Sequence, residues 1–179
     1  MLHRIVVNVA DAKISRDSRD VLVTYGLGSC IGVCMYDPVV CLGAMVHSQL
    51  PDSRINEAKA RGNPLMFVDT GLKIVIDKML SMGANKRLIR TVIAGGASMK
   101  MMAENSDIGR KNYQSVRKTL WKANMFVDAD DVGGTSARTM YLSIADGVVT
   151  IRCIGAEKKL WQIPLSAGGR QKQLSRLGG

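Results

Sequence analysis

Two residues in one short stretch, Cys30 and His47, have side chains that together can perform nucleophilic chemistry. Cys30 follows the glycine-rich turn 26–29, and the residues after it alternate in character as in a β-strand. Asp37-Pro38 is a turn signal, and a second apolar run, 41–46, ends at His47. The pattern predicts a β-hairpin that contains both residues.

The length of the hairpin loop decides how close the two side chains come. With residues 37–40 as the loop, antiparallel pairing places Cys30 directly opposite His47. Opposed side chains have Cβ atoms about 4.5–5.5 Å apart, which suits proton transfer from a thiol to an imidazole. A cysteine thiol has an ordinary pKa of about 8.5, so a neighbouring base is needed to make it a nucleophile at neutral pH. Backbone amides around Gly28 and Ser29 can face a developing oxyanion, and the expected chemistry is acyl transfer at a carbonyl.

Thr24 ends a short predicted strand, 21–24, at the edge of the same pocket, where its hydroxyl could orient the imidazole. Each of these residues also has an ordinary structural interpretation. Cys30 can be a small buried residue, His47 a hydrogen-bonded strand end and Thr24 a β-branched strand residue. The residue types and spacing alone leave both interpretations open.

The four cysteines, Cys30, Cys34, Cys41 and Cys153, have no spacing typical of a metal site, and only two histidines accompany them. In the predicted hairpin Cys34 and Cys41 are diagonal neighbours, too far apart for a relaxed disulfide. We therefore expect reduced cysteines, no metal, no cofactor and a cytoplasmic protein. No apolar run is long enough to span a membrane, so no membrane insertion is expected.

The formal net charge of +10 favours an acidic partner. A nucleic acid would satisfy it, but the chain has two Phe, two Trp and four Tyr and no basic motif interleaved with aromatic residues. An acidic protein surface explains the charge equally well, and no nucleic acid is expected as the partner.

The rest of the chain predicts a layered α+β domain of two helices and about eight strands. Residues 11–20 read as a charged loop, and 98–106 as a mobile loop near the site. The whole of 1–179 is expected to be one domain, with a basic, partly flexible tail over about 157–179. The predicted helices are 64–82 and 109–124, and the strands outside the hairpin are 4–10, 21–24, 87–94, 126–129, 138–144 and 148–154.

The block Thr24-Tyr25-Gly26-Leu27-Gly28-Ser29-Cys30, followed by His47, resembles the chemoreceptor glutamine deamidases of chemotaxis, CheD. The similarity continues through Gly95-Gly96-Ala97, Ile108-Gly109 with Asn112, and Asp131-Val132-Gly133-Gly134 with Arg138. It covers nearly the whole chain up to about Ile154. Two positions depart from the family pattern, Lys111 and Ala137, and neither belongs to the expected catalytic residues.

The resemblance implies a β-sandwich-like core flanked by helices, akin to the cytotoxic necrotizing factor deamidases. It implies hydrolysis of glutamine side chains on the cytoplasmic helices of methyl-accepting chemotaxis receptors, with Cys30 as nucleophile, His47 as base and Thr24 as the orienting residue. Asn112 and Arg138 become candidates for substrate contacts or structural support. The phosphatase CheC is an implied partner. A non-catalytic adaptor that binds receptor or CheC, a nucleic-acid binder and a thiol protease are the alternatives.

Overall fold

Two five-stranded sheets lie face to face, and helices cover one of them, in a computed structural model that describes residues 1–98 and 107–163. The helices are α1 (Glu57–Gly62), α2 (Val68–Ser81) and α3 (Ile108–Lys122), with short 3₁₀ turns at Ser53–Ile55 and Pro64–Met66. The strands are β1 (His3–Val6), β2 (Asp11–Ser15), β3 (Asp20–Leu27), β4 (Ile31–Asp37), β5 (Leu42–Ser48), β6 (Arg90–Gly95), β7 (Ala129–Val132), β8 (Arg138–Ser143), β9 (Val149–Cys153) and β10 (Ala156–Trp161). The predicted α+β class is confirmed.

Sheet A has the strand order β1-β3-β8-β9-β10, and sheet B has the order β2-β5-β4-β6-β7. Both sheets are mixed, because β1 pairs with β3 and β6 with β7 in parallel. The alternating side chains of β4 separate two cores. Val33 and Met35 pack in the core beneath α2 and α3, whereas Cys34 and Tyr36 pack in the core between the sheets. The domain therefore has three layers: sheet A, sheet B and helices.

Apolar residues at three- and four-residue steps place α2 and α3 against sheet B. The predicted helix 64–82 is confirmed over 68–81, and Pro64 begins a 3₁₀ turn before it. The predicted helix 109–124 is confirmed over 108–122. Across 1–98 and 107–163, no helix combines the length and apolarity needed to cross a membrane.

Two predicted segments are corrected. Residues 11–15, expected in a loop, form β2 and pair with β5, because Ala12 and Ile14 pack against the helical core while charged neighbours alternate with them. The strand predicted at 126–129 lies instead at 129–132. The tail expected from residue 157 begins within a strand, β10. Residues 99–106 of the predicted mobile loop and 164–179 of the tail lie outside the described residues.

The first turn of α3 packs directly on the backbone that follows β6. A Cβ atom added at Gly109 would lie 2.7 Å from the carbonyl oxygen of Ala97 and closer still to that of Gly96. Such distances are below those of real Cβ contacts, so only glycine lets the helix approach this segment.

Replacing Gly109 with alanine should therefore force α3 away from residues 96–97 and lower the free energy of unfolding by about 1–3 kcal/mol. Denaturant unfolding followed by circular dichroism measures this difference. Gly62→Ala is the matched control, because Gly62 is also helical and its added Cβ meets no atom within 4 Å. Equal stability of the two variants would contradict the packing argument.

Candidate active site

β4 and β5 form the predicted hairpin, but their register differs from the predicted one by two residues. Gly32 pairs with His47, and Ile31 pairs with Ser48. The prediction that Cys30 lies directly opposite His47 is therefore wrong. Because the shift is an even number of residues, Cys30 keeps its predicted place on the face of sheet B that carries His47. Cys30 directly precedes β4, and continuing the register by one residue makes it a diagonal neighbour of His47, a position that typically lies about 7–8 Å away between Cα atoms.

Asp37 accounts for the shift, because it ends β4 instead of beginning the loop. It pairs with Leu42, and its fully buried carboxylate accepts hydrogen bonds from the amides of Val39 and Asn85. The turn therefore comprises residues 38–41, and Cys41 takes a left-handed backbone with φ 48°.

His47 and Thr24 meet across the interface between the two sheets. The Thr24 Oγ1 atom, on β3 of sheet A, lies 2.7 Å from His47 Nδ1, on β5 of sheet B. Thr24 is fully buried and His47 is 1% exposed. The structure thus brings together two of the predicted site residues through a direct hydrogen bond.

The hydrogen-bond partners of Thr24 define the tautomer of His47. Thr24 Oγ1 donates its single proton to the carbonyl oxygen of Val7, at 2.8 Å. The hydroxyl can then only accept from the imidazole, so Nδ1 carries the proton and Nε2 presents a lone pair. Among the described residues, Nε2 is buried and has no hydrogen-bond partner. This arrangement leaves His47 with one unoccupied basic nitrogen.

The loop that carries Cys30 is held by the backbone after β6. Gly96 N–H donates to the carbonyl oxygen of Cys30 and Ala97 N–H to that of Gly28, both at 2.8 Å. Gly95 has φ 109°, and an added Cβ would collide with the carbonyl oxygen of Cys30. The sequence showed the Gly95-Gly96 pair, but it did not predict that these two residues hold the loop that carries Cys30.

Asn112 connects the cysteine loop to the strand that carries His47. Its Nδ2 donates to the carbonyl oxygens of Ser29 and Gln49, both at 2.9 Å. Ser29 directly precedes Cys30, and Gln49 follows His47 by two residues. One fully buried carboxamide on α3 therefore fixes both segments.

The predicted oxyanion donors differ in their availability. Gly28 N–H donates to Gly26 O at 2.8 Å and is already occupied. Among the described residues, the amides of Ser29 and Cys30 donate to no backbone acceptor. Ser29 and Cys30 are the two amides that can face a developing oxyanion.

Burial keeps the Cys30 thiol and the His47 imidazole neutral. It raises the pKa of the half-buried Cys30 thiol, and it lowers the pKa of His47 from 6.5 to about 4. At neutral pH the site therefore holds a thiol and a neutral imidazole, and the imidazole can act as a general base during attack.

Arg138 takes part in internal contacts. It is 8% exposed, and it donates to the Asp131 carboxylate at 2.8 Å and to the carbonyl oxygen of Ser136. Lys158 also pairs with Asp131, which links β7, β8 and β10. These contacts favour structural support over substrate contact. Ala137 has no left-handed backbone, so its departure from the family glycine causes no strain.

Within residues 1–98 and 107–163, one group of three side chains comes close enough to hold a cation, namely His3, Asp17 and Asp20. Asp17 is already paired with Arg19, and Asp20 accepts a hydrogen bond from Ser15. The group lies near the beginning of β3, whereas Thr24 and the cysteine loop lie towards and beyond its end. All four cysteines are free.

Comparison with known proteins identifies the family. The family model described as "CheD chemotactic sensory transduction" matches residues 49–153. The "Probable chemoreceptor glutamine deamidase CheD" of Solibacter usitatus is 43% identical over 159 residues, which cover 89% of this chain and 94% of that protein. The chain belongs to the CheD family. Among other CheD relatives, the protein of Clostridium tetani is 42% identical over 86% of this chain and 93% of its own length.

The family-model match begins after His47, so the CheD relatives cover the site better than that match does. The alignment to the Solibacter usitatus protein spans 159 of 179 residues. Only 20 residues of the chain lie outside it, so it includes Thr24, Cys30 and His47 wherever it begins. The CheD similarity thus extends over the whole candidate site.

The burial of His47 gives a direct spectroscopic prediction. At about pH 6 the ring should be neutral with the proton on Nδ1, because its pKa lies near 4. The ¹⁵N shifts of the ring nitrogens report tautomer and charge, and a His3→Gln variant assigns the two histidines. A charged ring, or a proton on Nε2, would contradict the hydrogen-bond assignment.

Proposed function

We propose that this chain is a protein-glutamine deamidase that converts selected glutamine side chains of chemotaxis receptors to glutamate and releases ammonia. Its membership of a family whose relatives carry the name chemoreceptor glutamine deamidase supports this substrate. The observation that supports the chemistry best is the hydrogen bond from His47 Nδ1 to Thr24, because it leaves Nε2 as a base on the sheet face that carries Cys30.

In the first half of the reaction, His47 Nε2 accepts the proton of the Cys30 thiol as Sγ attacks Cδ of the substrate glutamine. The carbonyl oxygen becomes an oxyanion, which accepts hydrogen bonds from the amides of Ser29 and Cys30 in this proposal. Collapse of the tetrahedral intermediate breaks the Cδ–N bond. His47 returns the proton to the leaving nitrogen, and ammonia departs from a thioester.

In the second half, water attacks the thioester carbonyl and gives a proton to His47 Nε2. The second intermediate breaks the bond to sulfur, the proton returns to Sγ, and the product is a glutamate side chain. The sum is one amide and one water converted to one carboxylic acid and one ammonia. Because the resting thiol and imidazole are both neutral, attack in the first half is accompanied by transfer of the thiol proton to His47.

Three further assignments belong to the same proposal. We assign the two packed mixed sheets with helices on one side to the cytotoxic-necrotizing-factor deamidase fold, and residues 1–179 to one catalytic domain. The phosphatase CheC is proposed as a partner on the resemblance alone. Thr24 is a positioning residue, and the hydrogen bonds of Asn112 and Arg138 favour structural support for both.

Substitution of the nucleophile tests the mechanism. Cys30→Ala should abolish conversion of glutamine to glutamate in a purified chemoreceptor cytoplasmic fragment, because no other group forms the thioester. Mass spectrometry of peptides from the fragment follows the conversion. Cys153→Ala is the matched control, since that cysteine has intermediate burial as Cys30 does, and it should keep full activity.

Conversion by Cys30→Ala at the wild-type rate would refute the cysteine mechanism. If the wild-type protein binds the fragment and converts no glutamine, the chain is a non-catalytic adaptor. Peptide-bond cleavage in the same assay would identify a thiol protease.

Thr24→Val should lower kcat by about ten- to a hundredfold, because an unpaired buried donor costs about 1–3 kcal/mol. Val retains the shape of the side chain and removes the acceptor for Nδ1–H. Thr24→Ser keeps the hydroxyl and should retain both the wild-type kcat and the wild-type ¹⁵N tautomer signature of His47. A Val variant with unchanged kcat would show that Thr24 does not position the base.

A further inference from the structure

An exposed groove beside the end of α3 has no role in the catalytic steps above. It lies between α3 and the segment that leads into β7, has a volume of about 560 Å³, and is called the α3–β7 groove below. Two aromatic side chains, Trp121 and Phe126, line it and are 72% and 74% exposed. Exposed aromatic residues of this size are typical of binding surfaces, where they act as anchors.

The charges around the groove are unequal on its two sides. The α3 side carries Arg117 and Lys118, and α3 as a whole has five basic residues and no acidic one. Among the described residues, neither Lys118 nor Arg117 forms an ion pair. Arg117 donates a hydrogen bond to the Tyr113 hydroxyl and lies over the Tyr113 ring. The opposite side carries two carboxylates, Asp128 and Asp130, and both already have hydrogen-bond partners within the protein.

Asp128 accepts a hydrogen bond from the Thr91 amide at 2.7 Å, and Arg90 lies 3.6 Å from its other oxygen. Asp130 accepts from the Tyr113 hydroxyl at 2.7 Å. Arg117 and Lys118 are therefore the charged groups of the groove that can still pair with a ligand, and they fit an acidic one.

Two elements run from the groove to the cysteine loop. Along α3, Trp121 lies nine residues from Asn112, about 13 Å at 1.5 Å per residue. Along β7, the chain runs from Ala129 in the groove to Gly133, whose amide donates to Gly95 beside the Cys30 carbonyl, again about 13 Å. α3 and β7 therefore each link the groove to residues that hold the cysteine loop.

We propose that the α3–β7 groove is a docking site for an acidic segment of the protein substrate, with an apolar side chain between Trp121 and Phe126. The proposal rests on the deamidase function, because a polypeptide substrate continues beyond its glutamine and can span about 13 Å with four extended or nine helical residues. Glutamine selection then depends on two contacts, the reacting side chain and a distant anchor.

Two other occupants fit less well. A second copy of this chain would bring two surfaces of the same positive sign together, since each chain has a net charge of +10. Single-stranded nucleic acid also suits aromatic and basic residues, but the proposed deamidase function supplies a polypeptide as the substrate and no nucleic acid.

The test compares a long and a short substrate, namely the chemoreceptor cytoplasmic fragment and a five-residue peptide with a central glutamine. The peptide extends only about 7 Å to either side of that glutamine and cannot reach the groove. Trp121→Ala should raise KM for the fragment at least about tenfold, with kcat unchanged and with no effect on the peptide.

Lys118→Glu should likewise raise KM for the fragment and should reduce the dependence of KM on salt. Ile74→Ala and Lys86→Glu are matched controls, because they change an exposed apolar helical residue and an exposed cation outside the groove. Both controls should behave as wild type.

Unchanged KM for the fragment in both groove variants would overturn the proposal, as would an equal loss on fragment and peptide. Competition by an oligonucleotide, or a dimer that Trp121→Ala dissociates, would assign the groove to another occupant. A wild-type protein that converts neither substrate would instead refute the deamidase function itself.

Discussion

The chain of hydrogen bonds from His47 Nδ1 through the Thr24 hydroxyl to the Val7 carbonyl is the constraint on which the site depends. It joins sheet B to sheet A, and it runs through atoms that are almost completely removed from water. A hydroxyl has one proton to donate, so the direction of the chain is fixed by the carbonyl at its end. The backbone of one sheet thereby determines which nitrogen of His47, on the other sheet, keeps a free lone pair.

Burial has a cost that appears in the pH dependence of stability. In the unfolded chain His47 titrates near 6.5, and in the folded protein burial lowers that pKa to about 4. The unfolded state therefore binds more protons between these values. The stability associated with the neutral ring is complete above about pH 6.5 and declines as the pH falls towards 4. The same desolvation that keeps the imidazole neutral at neutral pH makes the fold sensitive to acid.

The sequence predicted the parts of this structure that depend on local periodicity. The faces of the hairpin followed from alternation along residues 30–36, and α2 followed from apolar steps of three and four. The register did not, because the buried carboxylate of Asp37, at the end of β4, accepts a hydrogen bond from the amide of Asn85, 48 positions away, which no local pattern shows. β2 was missed because its polar residues hide the alternation of Ala12 and Ile14. Thr24 was placed near the pocket, but its contact with His47 requires the packing of two sheets, which no local pattern encodes.

Asn112 carries the same functional group that the proposed reaction hydrolyses. Its nitrogen is held by two carbonyl oxygens, and the side chain is fully buried, so it is withheld from the thiol as a substrate. Spontaneous loss of ammonia at this one residue would set a carboxylate against the carbonyl oxygens of Ser29 and Gln49 and push the two halves of the site apart. The geometry of the candidate site thus depends on the chemical integrity of a single amide, which its helix and its burial protect.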